Sequence, residues 1–316
     1  MSGIICTCDS PVKNLGLPNC TDLIGIPRRL IFVPTFQNDG TLNYIETVGT
    51  TFNAAFWNAL QYNTDTTARY YPLAKDFEEV AMSKADTVYQ EFASGNMELV
   101  KDGVRSFEGM LPKTAIPLIG KLKSKGCAKH SVYIIDHLGN IIGVEKTLGK
   151  LYPMQLNDNT LNSIFQFATD TTVPMIQVKF QFAQSIADEQ ISFIKSSDLG
   201  IDMFTQFNGK TDSNIVQVGT GTTTTVVVDV YTDYGSAKNK IPVEGLVLAD
   251  FVLYNVTDSA TITPSSVVED SVVPGRYTFT FTAETATDIL RLTLSTSEAA
   301  KPYDDGTWPD VQLTLQ

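Results

Sequence analysis

The residues that could perform acid–base chemistry in this sequence are few and scattered. Its two histidines, His130 and His137, lie at opposite ends of a predicted strand. A histidine base needs a nucleophile or a carboxylate within hydrogen-bond reach. The local carboxylate, Asp136, neighbours His137 on the strand, and neighbouring strand residues point to opposite faces. We therefore interpret both histidines as surface or strand-end residues and predict no catalytic pair.

Two acidic pairs, Glu78–Glu79 and Asp304–Asp305, have residue types suited to general acid–base catalysis or Mg²⁺ binding. The first follows a proline-containing loop and the second precedes a glycine, which is typical of a turn. Solvated loop charge is the better interpretation of both. Gly219–Gly221 lacks the third glycine and the Lys-Ser/Thr of a phosphate-binding loop and precedes a strand. We expect no enzyme, no nucleotide site and no cofactor.

The cysteines do not form a metal-binding pattern. Cys6, Cys8 and Cys20 cluster near the N-terminus, whereas Cys127 lies more than a hundred residues further along. This spacing differs from the paired knuckles of structural zinc sites. We predict free thiols or an N-terminal clip, with no metal and no disulfide framework.

The charge balance excludes one large class of function. The chain has 23 Lys and Arg against 35 Asp and Glu, a formal net charge of −12. Such a chain has no strongly basic surface to hold phosphate backbones, so we expect no sequence-specific DNA binding. No apolar run reaches the roughly 18 residues of a membrane span, and the N-terminus lacks the pattern of a secretory signal. We expect a soluble protein, made in the cytoplasm, without membrane insertion.

Basic residues concentrate in one short stretch. Its members are Lys113, Lys121, Lys123, Lys125 and Lys129. Such a run is most often a solvated helix face. In an assembly of identical subunits, Lys121 and Lys123 could instead face the acidic domain of a neighbour and set the register between copies.

A change in composition near residue 212 predicts two domains, 1–211 and 212–316. The second is rich in Thr, Val, Ser and Asp and has 14 acidic against 5 basic residues. Its predicted strands lie about ten residues apart, which is typical of a two-sheet immunoglobulin-type sandwich. They are Thr222–Tyr231, Gly245–Val256, Tyr277–Thr282, Ile289–Leu294 and Val311–Leu315. The domain has no cysteine, which excludes the disulfide-bonded variant of that fold.

The first domain has an α+β pattern with mostly antiparallel strands and few helices. Its clearest strands are β-branched and aromatic runs: Arg29–Val33, Ser131–Asp136, Ile141–Val144 and Met175–Phe182. One helix is predicted over Thr51–Tyr62 and another over Asp188–Ile194. A third should begin at an N-cap at Thr114 and stop at Gly126 after a lysine-rich last turn.

Residues 86 to 110 predict a hairpin that its own domain does not cover. Two extended runs, Thr87–Phe92 and Met97–Phe107, flank a Ser94–Asn96 turn, and Asp102–Gly103 interrupts the second. The runs are too polar for both faces to be buried within one domain. One face must therefore meet water or another subunit, and we expect these strands to find partners in neighbouring copies.

The order of these elements resembles that of tail tube (major tail) proteins of long-tailed bacteriophages and of contractile injection machines. The resemblance covers roughly residues 75 to 185. It runs from the hairpin through the strand at Arg105–Gly109, the helix at Lys113–Lys125 and the hairpin that turns at Gly139–Asn140. An appended immunoglobulin-like domain, common on such virion proteins, would account for 212–316. The long stretch before residue 75 departs from a minimal tube subunit.

The resemblance implies a non-enzymatic virion structural protein with a β-barrel or sandwich assembly domain. Its hairpins would join edge to edge in rings, six copies in the familiar case, which stack around a DNA conduit in the tail. Partners would be other copies, other tail proteins and passing DNA that is not specifically bound. An acidic inner wall would let DNA slide. Glu91, Glu98 and Glu108 are candidates for that wall or, equally, for outward positions exposed to solvent.

Three other functions fit the same pattern. The chain could decorate a capsid or form a connector ring. It could also bind a host surface through the second domain, where Tyr303 and Trp308 are either the local aromatic pair that a glycan would need or core and strand-end residues.

Overall fold

The computed structural model describes residues 23–127, 129–236, 238–295, 303–305 and 311–314. The chain divides into two compact units, and each is described by itself. Unit 1 comprises Met1–Thr114 and Ile119–Asn208, and unit 2 comprises Ala115–Leu118 and Gly209–Gln316. Two α-helices accompany many strands, nearly all of which pair antiparallel, so the predicted fold class, α+β with mostly antiparallel strands, is confirmed.

The elements of the first 208 residues are mostly short strands. They are β1 (Pro27–Pro34), β2 (Ile45–Glu46), α1 (Ala54–Gln61), β3 (Tyr71–Pro72), β4 (Glu78–Lys84), β5 (Val88–Glu91), β6 (Met97–Lys101), β7 (Arg105–Pro112), α2 (Pro117–Cys127), β8 (His130–Asp136), β9 (Ile141–Thr147), β10 (Lys150–Tyr152), β11 (Met154–Gln155), β12 (Asn162–Gln166), β13 (Met175–Gln181) and β14 (Ile191–Ile194).

The core of unit 1 lies under a sheet with the order β2-β10-β9-β8-β1-β3, to which β11 and β14 add as side pairings. All seven residues of β8 are buried, as a continuous apolar run predicts for a strand covered on both faces. Helix α1 begins where the Asn53 side chain accepts a hydrogen bond from the Phe56 N–H. It buries Trp57, whose indole donates to the Leu199 carbonyl at 2.9 Å.

A second sheet of unit 1 has the order β12-β13-β7-β4. Burial alternates along β7 and β13, so one face is apolar and covered while the other is open to solvent. Phe107 and Phe180 are paired across the two strands, and their rings stack on the covered face. The covered face holds Phe107, Leu111, Ile176, Val178 and Phe180.

Unit 2 contains two sheets that share one buried cluster. Its strands are β15 (Thr211–Gln217), β16 (Thr225–Thr232), β17 (Ile241–Pro242), β18 (Phe251–Asn255), β19 (Ala260–Ile262), β20 (Ser266–Glu269), β21 (Arg276–Thr280), β22 (Ile289–Leu294), β23 (Tyr303–Asp305) and β24 (Val311–Thr314). One sheet has the order β20-β21-β16-β15-β23, with β17 beside β16, and the other has the order β19-β18-β22-β24. Residues of both sheets, such as Phe279 and Leu292, meet in the shared cluster.

Most of the predicted strands are confirmed, but several local predictions are wrong. Asp188–Ile194 is not a helix: Asp188–Gln190 forms a 3₁₀ turn, and the rest is strand β14, paired with β9. The β-branched and aromatic residues of this stretch favour that pairing. Leu248–Asp250, inside the predicted strand Gly245–Val256, is likewise a 3₁₀ turn, and the strand begins only at Phe251.

Both predicted ends of the lysine-rich helix are also wrong. Helix α2 starts at Pro117, whose missing N–H costs nothing in the first turn of a helix. The Thr114 hydroxyl donates instead to the carbonyls of Leu111 and Pro112. Gly126 lies within the helix, which continues to Cys127, so it is not a left-handed cap.

Candidate assembly interface

A two-stranded ribbon stands apart from the sheets of unit 1. Strands β5 and β6 pair with each other alone among the described strands. We define the ribbon as Asp86–Asp102. Its turn closes with the Phe92 N–H donating to the Asn96 carbonyl at 2.8 Å, and Gly95 takes φ +81°, where glycine is favoured. The predicted hairpin and its turn are confirmed.

Every residue of the two ribbon strands is exposed. Six of the exposed side chains in the ribbon are large and apolar or aromatic, with exposed fractions between 42% and 64%. They are Val88, Tyr89, Phe92, Met97, Leu99 and Val100. A lone hairpin is marginally stable in water, and an apolar exposed strand edge is a template for pairing with another chain. The ribbon therefore has the properties of an unfinished interface.

The two ribbon carboxylates predicted for an inner wall lie on opposite faces. Glu91 pairs with Met97, whereas Gln90 pairs with Glu98. Consecutive strand residues alternate faces, so Glu98 shares the face of Gln90 and not that of Glu91. One wall formed by the ribbon can therefore contain only one of these two carboxylates.

At the base of the ribbon, the two chain segments that connect it to the second sheet of unit 1 lie close together. The Ala85 N–H donates to the Val104 carbonyl at 3.0 Å, next to the predicted interruption at Asp102–Gly103. A Cβ placed on Gly103 would lie 1.6 Å from the Ala85 carbonyl oxygen. Glycine at this position is thus what allows the two chain segments to approach.

An ion triad holds the same base. Lys84 and Arg105 are directly opposite on β4 and β7, and like charges in that arrangement repel. Asp188 bridges them, with its carboxylate oxygens 2.8 Å from the Arg105 guanidinium and 2.9 Å from the Lys84 ammonium. Hydrogen bonds from Arg105 and then from Lys84 lower the pKa of Asp188 below its ordinary value.

The third wall candidate, Glu108, lies on the solvent face of the sheet that contains β7. Lys179 on β13 is its cross-strand partner, and the two charged groups are 2.8 Å apart. The hydrogen bond from Lys179, helped by one from Gln177, lowers the pKa of Glu108. Its charge is therefore balanced locally, and this face is polar and close to neutral where an acidic wall was expected.

Both outer strands of this sheet, β4 and β12, pair on one side only within the described part of the chain. Near β12, Ile164 and Phe167 are exposed, Phe167 by 81%. Free edges with nearby apolar side chains favour pairing between copies.

The lysines of the predicted basic stretch lie on and around α2. Lys123 is exposed, whereas Lys121 is half-buried. The Lys125 ammonium lies 3.3 Å from the centroid of the Tyr71 ring, a cation–π contact within unit 1. Lys113 and Lys129, which flank the helix, are exposed.

The histidines occupy structural positions. His130 is buried at the start of β8, so it is a strand-end residue but not a surface residue. His137 is exposed, and its Nδ1 accepts a hydrogen bond from the Ile26 N–H at 2.9 Å. Asp136 is buried and accepts from the N–H groups of Gly25 and Asn140, which accounts for its burial without a catalytic role.

One cluster of acids in unit 2 was not predicted from the sequence. The carboxylates of Asp258, Glu284 and Asp288 approach within 4.8 Å of one another. The buried Asn255 side-chain amide donates to all three, at 3.1, 2.9 and 3.0 Å. The residues come from separate turns, so no spacing rule would have grouped them. Oxygen ligands of this kind suit hard cations, but here they converge on an amide.

Several predictions concern residues outside the described range. Cys6, Cys8, Cys20 and Trp308 are among them. No helix in the described part of the chain is long and apolar enough to cross a membrane. No protein-family model matches the sequence, and a search of curated proteins gives no match.

Proposed function

We propose that this protein is a virion structural protein: a tail tube subunit that assembles with copies of itself into stacked rings around a DNA conduit. The single observation that carries the proposal is the ribbon, a pair of strands with apolar side chains that the described residues of its own unit leave exposed. Joining such strands between copies removes exposed edges, which otherwise invite uncontrolled aggregation.

The second sheet of unit 1 supports the same proposal. Its inner face is packed with aromatic and aliphatic side chains, its outer face is polar, and its two outer strands have open edges in the described chain. Repeated around a ring, such sheets would present the polar face to a shared channel. The Glu108–Lys179 pair leaves little net charge there for phosphate groups to bind, which suits DNA that passes without specific contact.

Unit 2 supports an appended immunoglobulin-like domain displayed outside the tube. Its strand order, β20-β21-β16-β15 against β19-β18-β22-β24, is that of an immunoglobulin sandwich with strands D-E-B-A and C′-C-F-G. The last strand divides between the sheets, since β23 pairs parallel with β15 and β24 pairs with β22. We propose no catalytic role for either unit.

Electron microscopy and sedimentation of the purified chain test the assembly. The decisive variant replaces residues 86–103 by Asn-Gly, a two-residue turn that would connect the hydrogen-bonded pair Ala85 and Val104. The ribbon strands are exposed throughout, so we expect unchanged melting of the remaining fold and complete loss of rings or tubes. A matched control, Val268→Ser with Val272→Ser, removes exposed apolar side chains from unit 2 and should leave assembly intact.

Two results would contradict the proposal. Wild-type chains that remain monomeric at high concentration would favour capsid decoration or host-surface binding through unit 2. Rings that persist without the ribbon would show that assembly uses another surface.

A further inference from the structure

We infer that the acidic ribbon of one copy docks on the lysine segment of a second copy. The lysine segment is Lys113–Lys129, which contains α2. This inference rests on the proposed self-assembly and adds to it the surface that receives the ribbon.

The ribbon is acidic as well as apolar. It contains four carboxylates, Asp86, Glu91, Glu98 and Asp102, and a single basic residue, Lys101. Glu91 and Glu98 are exposed on opposite faces, so each face offers one carboxylate among apolar side chains. Neither carboxylate forms an ion pair within the described part of the chain.

The lysine segment has the complementary chemistry. It contains five lysines and no acidic residue. Lys113, Lys123 and Lys129 are exposed. A partner for this surface must therefore carry negative charge, as the ribbon does. Complementary charge of this kind fixes the register between partners and opposes incorrect ones.

Two acids of unit 2, Asp229 and Asp270, are weaker candidates for the same surface, although unit 2 is the more acidic part of the chain. Asp229 is held by Arg276 through two hydrogen bonds. Asp270 accepts from the N–H groups of Val272 and Val273. These carboxylates already have donors, whereas those of Glu91 and Glu98 are exposed and lack an ion pair in the described chain.

The test exchanges the charges of the two surfaces in the full chain. The ribbon variant is Glu91→Lys with Glu98→Lys, and the segment variant is Lys123→Glu with Lys129→Glu. The swap variant combines all four changes. A control variant, Lys146→Glu with Glu189→Lys, reverses exposed charges elsewhere in unit 1. Melting curves show that each variant is folded, and sedimentation gives the concentration at which half of the chains are assembled.

We expect the ribbon variant and the segment variant each to raise the concentration at half assembly by at least about tenfold, which corresponds to about 1.4 kcal/mol. The swap variant should return the concentration at half assembly to within about threefold of the wild-type value, and the control variant should leave it unchanged. Loss of assembly in the segment variant alone would place the acidic partner elsewhere and overturn the inference. Failure of the swap to rescue would also overturn it.

The outcome for the wild-type chain separates this inference from the proposed function. If the wild-type chain forms rings or tubes and both reversals leave them unchanged, the inference fails while the proposed function stands. If the wild-type chain does not assemble, both fail together.

Discussion

Single buried polar residues hold the loops of both units. Asp136, fully buried, accepts hydrogen bonds from the N–H groups of Leu138 and Asn140 and so closes the β8–β9 turn. Asn255, also fully buried, plays the same part where β18 ends in unit 2. A buried polar group that loses its partner costs more than an ordinary hydrogen bond contributes. Substitutions at such residues should therefore have large effects on the free energy of unfolding.

Replacing Asn255 by Ala should destabilise unit 2 strongly. The substitution removes the amide shared by Asp258, Glu284 and Asp288, so that the three carboxylates lose their common donor. We expect a loss of about 3 kcal/mol in the free energy of unfolding, measured by chemical denaturation. The control Thr261→Ala, at an exposed position on β19, should cost less than about 1 kcal/mol. Equal stability of the two variants would contradict the assigned role of the amide.

Asp188 should make the base of the ribbon sensitive to pH. Its pKa is lowered from 3.8 in the folded chain by Arg105 and Lys84, so its contribution is present above the ordinary value and is lost as pH falls through the lowered one. Because this carboxylate is about half exposed, the contribution is small, about 1 kcal/mol. We expect Asp188→Asn at pH 7 to lower the exchange protection of the Ala85 amide about fivefold.

The same measurement at about pH 3 gives the matching check. As the pH falls below the ordinary value and through the lowered pKa, the wild-type protection factor should move toward that of the variant, because protonation removes the charge that Arg105 and Lys84 contact. The control Asp198→Asn, in a neighbouring 3₁₀ turn, should leave the Ala85 amide unaffected at both pH values. A wild-type advantage that stays constant between pH 7 and well below the ordinary pKa would contradict the triad.

At the scale of elements, the close approach of Gly103 to Ala85 determines how the ribbon connects to the sheet. Gly103→Ala would bring a Cβ to 1.6 Å from the Ala85 carbonyl oxygen, so the backbone must shift. We expect a lower melting temperature and loss of the Ala85–Val104 hydrogen bond, measured by hydrogen exchange. Gly120→Ala is the matched control, because it lies in α2 with open space around it. Alanine there should stabilise the helix by about 0.5–1 kcal/mol. Similar changes in stability from both substitutions would contradict the close approach of Gly103 to Ala85.

Elements that depend on local sequence signals were predicted, whereas elements that depend on contacts between distant parts of the chain were not. Alternation along Met175–Gln181 and the turn at Gly95 are local signals, and the structure has both. Ile191–Ile194 became a strand because β9 offered a partner from a distant part of the chain, which no local window contains. For the same reason, the Asn255 cluster could not be predicted from the sequence, because its acids meet only in the folded chain. The faces on which Glu91 and Glu98 lie could not be predicted either, because they depend on the strand register.

At the scale of the whole molecule, the described residues of each unit form their own buried clusters, which predicts two cooperative units. One buried cluster packs around Trp57 and Tyr133 in unit 1, and another packs around Phe279 and Tyr277 in unit 2. Charge is also divided, since most of the net negative charge lies after residue 210. This division agrees with the roles proposed above, assembly for the first unit and an appended domain for the second.

Calorimetry of two core variants should separate the units. The side chains of Phe279 and Phe180 are at most 2% exposed. Phe279→Ala and Phe180→Ala should therefore each lower the free energy of unfolding by about 3–5 kcal/mol. We expect two unfolding transitions, with Phe279→Ala lowering that of unit 2 and Phe180→Ala lowering that of unit 1. Because the ribbon and the lysines of the proposed interface belong to unit 1, Phe279→Ala should still form rings at temperatures where unit 1 is folded. A single transition that both substitutions shift equally would show one cooperative fold, and it would contradict an independent outer domain.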